Sequence, residues 1–166
     1  MVKGLLVGVG LIAVLGIVAF LTTAPEGKVE QPIAFNHQKH VEKGFPCVTC
    51  HQTVEKAPHA GLPSLQVCLM CHSAPMTKSP EEEKIREYAK RGEAIRWAKI
   101  YKLPDNVYYS HRRHVGIGKL ECKTCHGTIG ESPAPPTRPV VALKMDWCLR
   151  CHRERKVETD CNACHK

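Results

Sequence analysis

Apolar residues are spread very unevenly along the chain. Positions 4 to 21 run for eighteen residues without a charge, after Met1, Val2 and Lys3 and ahead of Thr22, Thr23, Ala24 and Pro25. At about 1.5 Å of rise per residue such a run makes roughly 27 Å of helix, one hydrocarbon thickness, whereas the apolar part of a signal peptide is shorter. The pattern predicts an uncleaved transmembrane anchor over 1–24, with Thr22, Thr23 and Ala24 as a weak cleavage site. Lys3 holds the amino terminus on the cytoplasmic face, which puts residues 25–166 on the periplasmic or outer side of the cell membrane.

Beyond the anchor only one stretch has helical periodicity. Residues 25–34 mix Pro, Gly and charge and read as a linker. Ser79 is an N-cap, Pro80 a first helical residue, Glu82 the partner of a capping box, and Glu81 to Glu83 an acidic first turn. With Ile85, Tyr88 and Ala89 on one side and Gly92 as a stop, the signals predict a helix over 80–91. Residues 95–109 read as extended, carrying Trp97, Tyr101, Val107, Tyr108 and Tyr109 and broken at Pro104, Asp105 and Asn106. Residues 127–141 hold four prolines and read as a loop.

Composition makes an ordinary core implausible. Aromatic residues are only 5% of 166, beside twelve Gly and twelve Pro, so something other than side chains must supply the apolar surface. The cysteines say what. All ten fall into five copies of Cys-x-x-Cys-His: Cys47, Cys50, His51; Cys68, Cys71, His72; Cys122, Cys125, His126; Cys148, Cys151, His152; and Cys161, Cys164, His165. Two thiols three positions apart on a helical turn reach the two vinyl groups of a porphyrin, and the next imidazole falls under the iron as its proximal ligand. Disulfide frameworks and zinc sites also pair cysteines but do not need that histidine. With ten histidines in 166 residues, its presence after all five pairs by chance has a probability on the order of 10⁻⁶. The expectation is five covalently bound c-type haems, with the formal charge of +8 offset by roughly ten propionates, so that nucleic acid is not a partner.

Each iron needs a sixth ligand. Five histidines lie outside the motifs: His37, His40, His59, His111 and His114. Phe35, His37 and His40 ahead of Cys47 recur as Tyr109, His111 and His114 ahead of Cys122, an aromatic followed by two histidines three apart and so on one face of a turn. The repeat divides the haem domain, 35–166, into a two-haem unit at 35–72, a spacer at 73–104 and a three-haem unit at 105–166. For the fifth iron Met145, three residues before Cys148, competes with His59, since a thioether is also a common sixth ligand.

The Phe-x-His-x-x-His opening resembles small bis-histidine multihaem cytochromes of the periplasm. By that likeness His37 serves the first haem and His111 the third, His40 and His114 reach others, and Met145 serves the iron above His165. The whole domain resembles the pentahaem cytochrome subunit of alternative complex III. The matching stretches are Ala60, Gly61, Leu62, Pro63 and Ser64; Trp97 through Leu103, Pro104 and Asp105 to His111; and Met145, Asp146 and Trp147 running into the fourth motif. A related hexahaem subunit of a quinone reductase complex shares much of this pattern. The resemblance implies a multihaem cytochrome c of loops and short α-helices packed around five haems, plus the N-terminal transmembrane helix.

Its implied function is electron transfer, from quinol oxidation in a membrane complex with iron–sulfur and quinol-binding subunits to a soluble cytochrome, copper protein or oxidase. The chain is then an electron-transfer subunit rather than an enzyme by itself. A stand-alone multihaem quinol dehydrogenase or a periplasmic shuttle shares this chemistry. A multihaem reductase needs an iron with an open position, and here the candidate ligands suffice to close all five.

Overall fold

Each cysteine motif folds as one or two helical turns, and these turns set the architecture of residues 29–165, which the computed structural model describes. In order they are α1 (His37–Glu42), a 3-10 turn at Cys47–Thr49, α2 (Leu65–His72), α3 (Pro80–Arg91), a π-helical turn at Arg112–Ile117, α4 (Cys122–His126), a 3-10 turn at Ile129–Glu131, α5 (Met145–Glu154) and α6 (Cys161–Cys164). Among the described residues there is no named strand. The stretch read as extended, 95–109, contributes one antiparallel bridge, Val107 to His165. No helix among the described residues is long and apolar enough to cross a membrane, and the predicted anchor at 1–24 lies outside them.

Helix α3 has the bounds its local signals predict. Ser79 caps it by accepting from the Glu81 N–H, and Gly92 ends it in the left-handed region at φ 65°, where a side chain would be strained. One detail differs. Glu82 makes no capping box with Ser79. Its carboxylate instead accepts from the Met76 N–H (2.6 Å), the Thr77 N–H (2.9 Å) and the Thr77 hydroxyl (2.6 Å), and so ties down the turn that precedes the helix.

Side chains do make a small core, and it lies where the spacer was expected. Ile33, Leu65, Ile85 and Ile95 are buried together, with Cys68, Leu69, Tyr88 and Trp97 packed around them. Residues 73–104 are thus a packing layer that braces α2, the helix of the second motif. The end of the expected linker belongs to the same layer: Ile33 is 3% exposed. Gln31 exchanges two hydrogen bonds with the Ala98 backbone (2.8 and 3.0 Å), and the Ala34 N–H donates to Glu81 (2.6 Å). Trp97 donates from Nε1 to the Pro63 carbonyl (2.9 Å), pinning the chain just before α2.

Candidate haem-binding site

The two histidine-bearing turns are built alike. Phe35 stacks on His40 (4.4 Å between centroids, 27°) and meets His37 edge-on (4.8 Å, 86°). Tyr109 stacks on His114 (4.6 Å, 25°) and meets His111 edge-on (4.9 Å, 88°). In both, the second histidine's Nδ1 is held by the carbonyl four residues earlier, His40 by Asn36 and His114 by Ser110, each at 2.8 Å. The aromatic ring and that carbonyl fix the imidazole plane, leaving Nε2 to point away from its own turn.

Across from these turns stand the motif histidines. Two imidazoles on one metal ion each place a nitrogen about 2 Å from it, which sets their centroids about 6.3 Å apart. Among the described residues there are three such pairs: His40 with His72 at 6.3 Å, His111 with His126 at 6.4 Å and 4° from parallel, and His114 with His152 at 6.1 Å. These gaps exceed the 4.4 to 4.9 Å contacts that Phe35 and Tyr109 make with the same turns' histidines and suit an intervening ion, so the residues present fit haem iron. His37 lies near enough to His51 to feel it: burial first, then His51 and His40, hold its pKa low. His111 and His126 are held low first by burial as well. A ligand imidazole has to be neutral, and these environments favour that form.

Backbone carbonyls orient other ligand rings through Nδ1–H. His51 donates to Gly61 (2.7 Å), His111 to Pro58 (3.0 Å) and His152 to Glu158 (2.5 Å). His165 Nδ1 sits 3.4 Å from the Asn106 amide. The π-helical turn reaches its place by close backbone approach. The His111 and Arg112 N–H groups donate to Pro58 and Ala57 (2.9 and 3.0 Å), and a Cβ on Gly116 would fall 2.2 Å from the Glu55 carbonyl oxygen.

Sulfur neighbours between motifs give the motifs a spatial order. Burial is the first cause that raises the pKa of each of these thiols, and the next causes identify who sits beside whom. Cys50 has Cys71 as a neighbour and Cys68 has Cys50, joining the second motif to the first. Cys122 lies against Cys47, joining the first to the third. Cys125 has Cys151 and Cys148 beside it, and Cys148 has Cys164. These neighbours run in the order second, first, third, fourth, fifth. All ten cysteines are free, so no disulfide framework competes for them. Among the described residues no three His, Cys, Asp or Glu side chains cluster as a metal ion would require.

The two remaining candidates sit apart. His59 is exposed, in the loop that docks on the π-helical turn, and it is among the groups that depress the pKa of His111. Met145 opens α5, 64% exposed, one turn ahead of Cys148. Sequence reasoning missed Glu82. It is 4% exposed and lies 3.6 Å from Nδ1 of His72, and as one of three acidic residues opening a helix it carried no signal of that placement.

Repeated Cys-x-x-Cys-His turns, facing imidazole pairs and a skeleton of short helices define a multihaem c-type cytochrome. The chain belongs to that group, the class III and cytochrome c7-type multihaem cytochromes, which hold their haem covalently. Residues 18–96 match the class III cytochrome c family and residues 107–166 match cytochrome c7 and related cytochromes c. It is similar to the menaquinone reductase multiheme cytochrome c subunit of Nitratidesulfovibrio vulgaris, at 34% identity over 157 residues covering 81% of this chain and 75% of the relative.

Proposed function

We propose that the chain is a membrane-anchored, periplasmic electron-transfer subunit with five c-type haems. It would carry electrons from quinol oxidation to a downstream acceptor, as the pentahaem subunit of alternative complex III does. The observation that carries this reading is the set of facing imidazole pairs at 6.1 to 6.4 Å. Bound haem supplies a one-electron ferric/ferrous couple at each position. Five residue pairs would hold the irons: His51 with His37, His72 with His40, His126 with His111, His152 with His114, and His165 with Met145. With two ligands from the chain for each haem, no iron would keep a place for a substrate atom, which favours a conduit over a reductase.

One observation favours a second direction of flow. The relative at 34% identity is a menaquinone reductase subunit, so the same line of haems would serve to pass electrons into the quinone pool. Purification of the native protein in mild detergent tests both. Iron–sulfur and quinol-binding subunits should come with it, and a pyridine haemochrome assay should count five haems per chain. Reduction of the haems by a quinol in that complex supports the first direction. Quinone reduction from pre-reduced haems, with no reaction from quinol, would replace it by the second. A soluble protein recovered alone would overturn the subunit reading.

A further inference from the structure

His72 differs from the other motif histidines in what stands behind it. His51 and His152 have a neutral backbone carbonyl at Nδ1. Nδ1 of His72 is buried with no hydrogen-bond partner, and the group facing it is the Glu82 carboxylate at 3.6 Å, an electrostatic contact rather than a hydrogen bond. We propose that Glu82 is a potential-setting residue, which by its fixed charge behind His72 makes the second-motif haem the low-potential end of the line. This rests on the reading of His72 and His40 as that haem's ligands.

Three observations carry it. Glu82 is held as a carboxylate: both oxygens accept, from the Met76 N–H (2.6 Å), the Thr77 N–H (2.9 Å), the Thr77 hydroxyl (2.6 Å) and Arg86 (2.9 Å), and the residue is 4% exposed. Its countercharge is shared: Arg86 bridges Glu82 at 2.9 Å and also pairs with Glu83, which Lys90 reaches at 3.6 Å, while the Glu82 carboxylate is the charged group set against the His72 ring. Its position is rigid, because α3 packs on α2 through Ile85, Leu65 and Ile95. A negative charge held at the outer nitrogen raises the electron density the imidazole offers its metal and favours the more highly charged ferric state. The second motif is also one end of the motif order. A low-potential haem there and a thioether-ligated haem at the fifth motif would tilt the whole line in one direction.

Spectroelectrochemical titration of the full-length holoprotein, with electron paramagnetic resonance to separate the low-spin haems, tests the role. Glu82→Gln should raise one midpoint potential, the lowest, by roughly a tenfold change in its redox equilibrium, about 59 mV for one electron, and leave the others in place. Arg86→Gln, which removes the counter-charge, should lower the same couple. Since a glutamine amide has one fewer acceptor oxygen than the Glu82 carboxylate for the Thr77 and Met76 groups, the haem count of each variant is measured first. If Glu82→Gln fails to load, Arg86→Gln alone decides by whether the lowest couple moves down. Five loaded haems with an unmoved lowest couple, or a uniform shift of all couples, overturn the role of Glu82. A parent protein with no haem on the second motif overturns the functional reading beneath it.

Discussion

A histidine is read as a ligand from sequence only where chain geometry delivers it. His51, His72, His126, His152 and His165 follow their cysteines directly, so the covalent spacing speaks for them without any knowledge of the fold. Which remote imidazole faces which motif is a tertiary matter. His40 faces His72 and His114 faces His152, because the Asn36 and Ser110 carbonyls and the Phe35 and Tyr109 rings aim them away from the nearer motif. His40→Ala should therefore open one iron only. The reduced variant should bind carbon monoxide at one haem, with the parent binding none, and a haem count of five should persist. The proposed fifth haem has two candidate ligands. Met145→His should keep five haems and lower one potential, since imidazole favours ferrous iron less than a thioether does. His59→Ala should leave every haem low-spin, and a five-coordinate iron in that variant would give His59 the place assigned to Met145.

Helix α3 was legible to the residue because its start and stop are local: a Ser79 cap, Pro80, an acidic turn and Gly92. What it packs on was not legible, since its partners Ile33, Leu65 and Ile95 lie in an expected linker, a haem helix and an expected extended stretch, none with a periodic pattern. Ser79→Ala should cost about 1 kcal/mol and Ile85→Ala about 2 to 5 kcal/mol in denaturant unfolding of the holoprotein. Acid sensitivity follows from the same helix. The Glu82 pKa is depressed in the fold from 4.5 to about 2, so its contribution is fully present above pH 4.5 and is lost as pH falls through about 2. Glu81 and Glu83 are depressed too, chiefly by hydrogen bonds from Lys84 and Arg86 respectively. Glu82→Gln should thus flatten, without abolishing, the fall in stability measured between about pH 5 and pH 2.

At the scale of the molecule the question is what holds the chain where side chains do not. Among the described residues the buried aliphatics form one cluster around α2 and α3, with Val54 apart from it. Around the third, fourth and fifth motifs α4, α5 and α6 contain no buried residue. Apolar groups there stay exposed, Ile117 at 67%, Met145 at 64% and Val157 at 52%, which is surface that porphyrin faces would cover. The two halves should consequently respond differently when haem is withheld. Without cofactors the part from residue 105 to 165 has no source of burial to offset the entropy of ordering its loops, whereas α3, α2 and residues 29–35 retain a small apolar contact of their own. Hydrogen exchange on chain expressed without haem attachment should show residual slow amides confined to α3 and its neighbours, and full exchange from residue 105 onward. Equal protection in both halves would mean that side-chain packing, not haem, organises residues 105 to 165. Protection nowhere would mean that the Ile33, Leu65, Ile85 and Ile95 cluster forms only after the second-motif haem has fixed α2.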